Sequence, residues 1–248
     1  MQTDCFDLPA PYRPHQRMRA AFDACPLVAI LRGVRPDEVV AHGLALYGAG
    51  FRLVEVPLNS PQPLASIEKL RAALPADALV GAGTVLRAAL VGEVARAGGE
   101  LIVMPHGDAE VIEAAKSQGL ACAPGVATPT EAFAALTHGA DMLKMFPAEQ
   151  LGAQVVKAWR ALIAARVPLV PVGGVTPGNM GPFLAAGASG FGLGSALYRP
   201  GQDASMTATQ ARAFIDGLRA AREAAGAAAE AARVAAQAAR VAHDGAPE

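Results

Sequence analysis

Short apolar runs alternate with amphipathic segments along most of the chain, from about residue 27 to residue 221. The apolar runs have the length of β-strands, and the segments between them are long enough for helices. Strands that alternate with helices predict parallel strand pairing. The predicted strands are 27–32, 52–57, 79–84, 101–105, 120–124, 141–146, 168–172 and 189–194.

Helix boundaries are marked by proline near the start and by glycine at the end. The predicted helices include 37–49, 61–74, 108–118, 129–138 and 176–186. The closing glycines are Gly50, Gly98, Gly119, Gly139 and Gly187.

Eight strands separated by helices predict an α/β protein of one domain, a small (β/α)8 TIM barrel. An open, doubly wound sheet is the alternative. Against it, no Gly-x-Gly-x-x-Gly motif follows the first strand, and Gly81-Ala82-Gly83-Thr84 lies inside the third.

The two ends of the chain depart from this pattern. Residues 1–20 are predicted to form a lead-in, with a short helix over 15–24 that covers the floor of the barrel. Residues 21–221 form the barrel. Residues 222–248 are an alanine-rich tail, which favours helix but offers few large side chains for packing.

Composition removes several classes of function. The 248 residues are 52% hydrophobic and carry a net charge of −1, which gives no support for nucleic-acid binding. Three widely spaced cysteines and five histidines form no ligand-spaced set, so neither a metal nor another cofactor is expected. No apolar run is long enough to span a membrane and no signal peptide is evident, so a soluble, cytoplasmic protein is expected.

Lys144 is the most informative single residue. It is the only amine in Met142-Leu143-Lys144-Met145-Phe146-Pro147, which otherwise indicates a buried strand. Desolvation lowers the pKa of a lysine, and a free amine can attack a carbonyl to form a Schiff base. The alternative is a lysine at a strand end that extends to water or pairs with a carboxylate.

Other polar residues lie where strands end, which is where such barrels have their active sites. Glu55 stands in the apolar run Leu53-Val54-Glu55-Val56-Pro57, so a raised pKa and a role in proton transfer are expected. A buried ion pair with Arg32 or Lys144 is the alternative. Arg32 and Thr84 are candidates for holding a carboxylate, although Arg32 could serve only as the partner of Glu55. His106 is interpreted as a loop histidine.

Glycines end the last two strands, at Gly173-Gly174 and at Gly194-Ser195. Loops at these positions commonly bind phosphate, because backbone N–H groups can approach the phosphate oxygens. The segment 195–199 is predicted to be an accompanying short helix. The alternative is that the glycines serve only tight turns.

Five segments together resemble the KDPG/KHG aldolase family. They occur in the family's order and the resemblance covers about residues 26–221. They are Ile30-Leu31-Arg32-Gly33, Val54-Glu55-Val56-Pro57-Leu58-Asn59-Ser60-Pro61, Gly81-Ala82-Gly83-Thr84-Val85, Leu143-Lys144-Met145-Phe146-Pro147 and Val172-Gly173-Gly174-Val175.

The resemblance implies a class I aldolase with a (β/α)8 barrel, usually a homotrimer, that needs no metal. It implies that Lys144 forms the Schiff base and that Glu55 moves protons through a water. The substrate-binding positions that match are Arg32, Thr84 and Pro105 around the pyruvyl carboxylate, Phe146 in the pocket, and Gly173, Gly174, Gly194 and Ser195 around the phosphate.

Within the family, the chain is most similar to the branch that acts in galactonate catabolism. Asn59 and Val172 stand where the phosphogluconate branch usually has arginine and threonine. The expected reaction is cleavage of 2-dehydro-3-deoxy-6-phosphogalactonate to pyruvate and D-glyceraldehyde 3-phosphate. Three alternatives remain: the gluconate epimer or both epimers as substrate, a phosphosugar isomerase or epimerase, and a phosphosugar-binding protein without activity.

Overall fold

The computed structural model describes the backbone of residues 12–244 and the side chains of residues 12–227. Residues 1–11 of the predicted lead-in and residues 245–248 of the predicted tail lie outside the described residues. The described strands are β1 (Leu27–Ile30), β2 (Leu53–Pro57), β3 (Leu79–Gly83), β4 (Leu101–Val103), β5 (Ala121–Ala123), β6 (Gly125–Val126), β7 (Leu143–Met145), β8 (Leu169–Pro171) and β9 (Phe191–Leu193).

All of these strands pair in parallel, as the alternation of strand and helix predicts. Six form a sheet in the order β5-β4-β3-β2-β1-β9, and three form a second sheet in the order β6-β7-β8. The chain runs from one sheet to the other between β5 and β6, where only Pro124 separates them. At the other edge, an isolated parallel bridge pairs Val172 with Gly192. The result is an α/β fold with a curled parallel sheet.

Helices follow most of the strands. They are α1 (Gln16–Ala24), α2 (Val39–Ala49), α3 (Pro63–Ala73), α4 (Val91–Arg96), α5 (Ala109–Ser117), α6 (Pro129–Thr137), α7 (Ala148–Arg160), α8 (Met180–Ala185) and α9 (Ala204–Asp244), with a 3₁₀ turn over Ala88–Leu90. None of the helices within residues 12–244 is long and apolar enough to cross a membrane.

The helix predictions hold for α2, α3, α5 and α6, and α8 is shorter than predicted. Helix α8 begins at Met180 rather than near residue 176, because residues 177–179 form a turn in which the Asn179 side chain accepts the Thr176 N–H. The five closing glycines all have positive φ, from 70° to 114°. Helix α7 was not among the segments predicted from the sequence.

Successive side chains of a strand point to opposite faces of the sheet, and this alternation decides which of them face the interior. On β2, Leu53 belongs to the inner apolar cluster and Val54 to the outer cluster beneath the helices, so Glu55 faces inward. On β7, Leu143 and Met145 both belong to the outer cluster, which turns Lys144 to the interior. The pleat therefore places the two charged strand residues on the same inner face.

Helix α1 confirms the predicted helix over 15–24. Its Met18, Ala21 and Phe22 belong to the inner apolar cluster and cover the end where strands begin. Asp141 holds this end together. Its buried carboxylate accepts the backbone N–H groups of His15 and Cys122, both at 2.7 Å, and pairs with Lys116 at 2.7 Å.

Candidate active site

A cavity of about 570 Å³ opens at the carboxyl ends of the strands. Most of the side chains and glycines selected from the sequence line it. The predicted residues on its wall are Arg32, Thr84, Pro105, Lys144, Phe146, Gly173, Gly174, Gly194 and Ser195. Glu55 is the predicted site residue that does not line this cavity.

Lys144 lies at the inner end of the cavity. Its side chain is 7% exposed, and its Nζ atom lies 5.0 Å from the centre of the Phe146 ring. Burial lowers the pKa of the amine, the negative charge of Glu55 opposes that shift, and the positive charge of Arg32 adds to it. These surroundings increase the fraction of Lys144 that is neutral and nucleophilic.

Glu55 lies one layer deeper. It is 1% exposed and lines a small apolar cavity of about 20 Å³, which Lys144 also lines. Burial raises the pKa of Glu55 to about 7, although Lys144 and Arg32 both act to lower it. Its Oε2 atom has no hydrogen-bond partner among the described residues. A buried carboxyl group that titrates near neutral pH and has a free oxygen is suited to both donating and accepting a proton.

Arg32 is held at the mouth by two neighbours. Its Nη1 group donates to Asn59 Oδ1 at 2.8 Å and to Thr84 Oγ1 at 3.5 Å. Thr84 has a φ of 56°, a backbone conformation that is costly for a β-branched residue and is often retained at functional sites. The guanidinium is therefore fixed beside the lysine, with donors left to bind an anion.

The two glycine-bearing strand ends form a cradle of backbone that lines the cavity. Gly173 and Gly174 have φ values of 108° and 66°, which disfavour any residue with a side chain. The Asn179 side chain donates to the Gly174 carbonyl at 2.8 Å and fixes this loop. Gly194 and Ser195 face it from the end of β9.

The short helix predicted over 195–199 is instead a turn. The N–H groups of Leu197 and Tyr198 donate to the Gly194 carbonyl at 2.8 and 3.0 Å, and the helix does not continue. Pro200 explains this difference, because a proline disfavours helical geometry in the residue before it. The turn still leaves Ser195 on the wall of the cavity.

Sequence reasoning assigned no role in this site to Tyr198 and Arg199, which line the cavity. Asn59 was named from the sequence, and its amide supports Arg32 rather than lining the cavity itself. Arg199 lies within the segment 195–199, which the sequence analysis connected with phosphate binding. Its positive charge is the feature of the sequence that could have identified it as a site residue. His106 is exposed, pairs with Asp108 at 3.8 Å and does not line the cavity, which confirms its interpretation as a loop histidine.

A buried strand lysine beside a buried carboxyl group, below an arginine and a glycine cradle, is the set of groups expected of an aldolase with a parallel α/β fold. The sequence pattern of the family described as "KDPG and KHG aldolase" matches residues 18–211. The chain belongs to this family.

One relative and two solved structures show how similar the chain is to members of that family. The "2-dehydro-3-deoxy-6-phosphogalactonate aldolase" of Escherichia coli (strain K12) is 49% identical over 196 residues, which are 79% of this chain and 96% of that protein. A solved structure described as "Native KDPGal structure" is 48% identical, with a TM-score of 0.78 over 80% of this chain and 96% of that one. KDPG aldolase from Legionella pneumophila, solved with pyruvate captured as a covalent carbinolamine, is 25% identical with a TM-score of 0.70, over 79% of this chain and 96% of that one.

Proposed function

We propose that this protein is a class I aldolase that cleaves 2-dehydro-3-deoxy-6-phosphogalactonate to pyruvate and D-glyceraldehyde 3-phosphate through a Schiff base on Lys144. The observation that carries the proposal is the buried Lys144 amine, with its lowered pKa, at the inner end of a cavity lined by Arg32 and four predicted phosphate-binding residues. The carbinolamine captured in the Legionella relative is the chemistry that such an amine performs.

The reaction begins when neutral Lys144 adds to the C2 ketone of the substrate. The carbinolamine loses water as Glu55 supplies the proton, and a protonated imine forms. The C3–C4 bond then breaks, its electron pair moves to the imine to give an enamine, and the C4 hydroxyl proton passes to Glu55 through a water. Protonation of the enamine at C3 and hydrolysis of the resulting imine release pyruvate and restore the free amine.

The cavity residues divide between the two ends of the substrate. Arg32, Thr84 and Pro105 hold the carboxylate of the 2-oxo acid beside Lys144, and Phe146 covers the lysine. The phosphate binds at the cradle formed by Gly173, Gly174, Gly194 and Ser195. Because the imine withdraws the electrons, no step requires a metal.

Two observations support the galactonate epimer as substrate. The Escherichia coli relative that carries that name is 49% identical to this chain. Val172, which stands where the phosphogluconate branch usually has threonine, lines the cavity. It lies two residues beyond Val170, the strand partner of Lys144. The gluconate epimer, alone or as a second substrate, is the other possible outcome of the assay below.

Closure of the two sheets into one eight-stranded barrel is part of the proposal. Its support is the Val172–Gly192 bridge, the hydrogen bond from Ser189 N to Leu169 O at 2.8 Å, and the continuity of β5 and β6 through Pro124. The proposed domain comprises residues 21–221. We also propose a cytoplasmic homotrimer, for which the native mass in solution is the measurement.

The decisive experiment treats the protein with pyruvate and sodium borohydride and then maps the modified peptide. The expected adduct is on Lys144 and has the mass of pyruvic acid less one oxygen atom. Lys144→Arg should lose both the adduct and the activity, because a guanidinium stays protonated. Lys157→Arg, a change of an exposed lysine on α7, is the matched control and should retain both. An adduct at another lysine, or none, contradicts the proposal.

The substrate is tested by measuring pyruvate release from the two C4 epimers side by side. Faster cleavage of the galactonate epimer is expected. Turnover also separates the enzyme from a phosphosugar-binding protein, and the borohydride adduct separates it from an isomerase or epimerase, since only an imine is reduced onto the protein.

A further inference from the structure

A second arginine, Arg199, lines the cavity together with Arg32. Its Nε group donates to the Ser195 carbonyl at 3.0 Å, and its backbone N–H donates to Gln202 Oε1 at 3.0 Å. These bonds hold the exposed guanidinium over the end of β9, where its two Nη groups carry the remaining donors. Arg32, in contrast, is directed towards Asn59 and Thr84.

The other side of the cradle carries the opposite charge. Glu149, in the first turn of α7, has its Oε2 atom 3.1 Å from the position of a Cβ built on Gly173 and 2.7 Å from one built on Gly174. Glu149 does not itself line the cavity, but its carboxylate lies against the two glycines, and its negative charge opposes the charge of about −1.5 to −2 that a phosphoryl group carries at pH 7. Backbone N–H groups offer only partial charges, so a cation beside the cradle would strengthen phosphate binding.

We propose that Arg199 is the cationic ligand of the substrate phosphate and that Glu149 opposes it, so that the two charges together set the affinity for phosphate. This inference rests on the proposed function and extends it to two side chains. The two arginines of the cavity then have separate tasks: Arg32 binds the carboxylate beside Lys144, and Arg199 binds the phosphate. A planar guanidinium fits both anions.

The test compares the phosphorylated sugar acid with its dephosphorylated counterpart. For Arg199→Gln, KM for the phosphorylated substrate should rise roughly 10- to 100-fold, as expected for the loss of a charged hydrogen bond. Kinetics with the dephosphorylated acid and borohydride trapping of pyruvate should stay unchanged. For Glu149→Gln, KM for the phosphorylated substrate should fall several-fold, and Arg212→Gln, a change of an exposed arginine on α9, is the control.

Equal effects of Arg199→Gln on both substrates, or no effect on either, overturn the inference. Titration with inorganic phosphate, monitored by phosphorus NMR, needs no turnover. It therefore separates failure of the charge assignment from failure of the proposed function. Weaker phosphate binding by Arg199→Gln and tighter binding by Glu149→Gln support the charge assignment whether or not the chain cleaves the sugar acid. Unchanged phosphate binding in both variants rejects it.

Discussion

The Glu55 carboxyl group lies directly against the backbone of Gly83. A Cβ atom built on Gly83 would be 1.6 Å from Glu55 Oε2 and 2.6 Å from Oε1, closer than any side chain allows. The pairing of β2 with β3 sets this approach, with Glu55 opposite Gly81 and Pro57 opposite Gly83. The glycine at position 83 therefore creates the space in which the buried carboxyl group sits.

Gly83→Ala should displace the Glu55 carboxyl group, because the backbone of a central strand cannot move away from it. We expect turnover to fall by at least about tenfold, since general acid–base catalysis depends on the position of the proton donor. The variant should still form the borohydride-trapped pyruvate adduct on Lys144 after long incubation. Steady-state kinetics and borohydride trapping on the same preparation measure the two effects.

Gly48→Ala is the matched control for this change. Gly48 lies within α2, and a Cβ built there would meet no atom within 4 Å. The control should keep full activity and gain up to about 1 kcal/mol of stability, as alanine favours helix over glycine. Unchanged turnover in Gly83→Ala would contradict the placement of Glu55 in the mechanism.

Glu55→Gln removes the proposed proton donor but keeps the shape of the side chain. Turnover should fall by roughly 10²- to 10⁴-fold, the usual contribution of general acid–base catalysis. Binding of pyruvate should change little, because Arg32 and Lys144 remain. Near-normal turnover in this variant would show that another group moves the protons.

The same variant should remove the contribution of Glu55 to the pH dependence of stability. The pKa of Glu55 is raised to about 7 in the folded protein, so folding favours the protonated form. This contribution is complete below the ordinary pKa of about 4.3 and is lost as pH rises through 7. Between pH 4 and pH 8.5, Glu55→Gln should therefore gain on the order of 3 kcal/mol relative to the wild type. Parallel denaturant curves at the two pH values measure it, and a constant difference would contradict the raised pKa.

Asn59→Ala should loosen Arg32 without changing the cavity wall. The Asn59 Oδ1 atom accepts from Arg32 at 2.8 Å, and Asn59 does not line the cavity. KM should rise several-fold for both C4 epimers and for pyruvate in the trapping reaction, because all of these carry the carboxylate that Arg32 is proposed to bind. A change confined to the ratio of the epimers would instead show that Asn59 contacts the C4 hydroxyl group.

The sequence predicted the strands well because each is a short apolar run between turn signals, and it predicted Lys144 and Glu55 because charged residues are rare in such runs. The sequence could not predict which residues of different strands and loops contact each other in the folded chain. The contact of Glu55 with Gly83, the bond from Arg32 to Asn59 and the approach of Glu149 to Gly174 all join residues on separate elements. Such contacts depend on strand register and loop geometry, which periodicity does not report.

Val172 is the position that should set the preference between the epimers. Its backbone N–H donates to the Met145 carbonyl at 3.0 Å, next to Lys144, and its side chain lines the cavity. Valine offers the C4 hydroxyl group no hydrogen bond and discriminates only by shape, whereas threonine of nearly the same size can donate one. Val172→Thr should therefore shift the kcat/KM ratio towards the gluconate epimer, by up to about tenfold for one hydrogen bond.

Val170→Thr provides the control for that prediction. Val170 lies on the same strand face two residues earlier, and it lines the small inner cavity but not the large one. A hydroxyl group there lies in the small inner cavity, among mostly apolar side chains but with Glu55 and Lys144 on the same wall, so any change in turnover should affect both epimers alike and the epimer ratio should stay the same. Val172→Thr should instead change the ratio, because its hydroxyl group can reach the substrate. If both variants leave the ratio unchanged, or if the wild type already prefers the gluconate epimer, the discrimination does not lie at Val172.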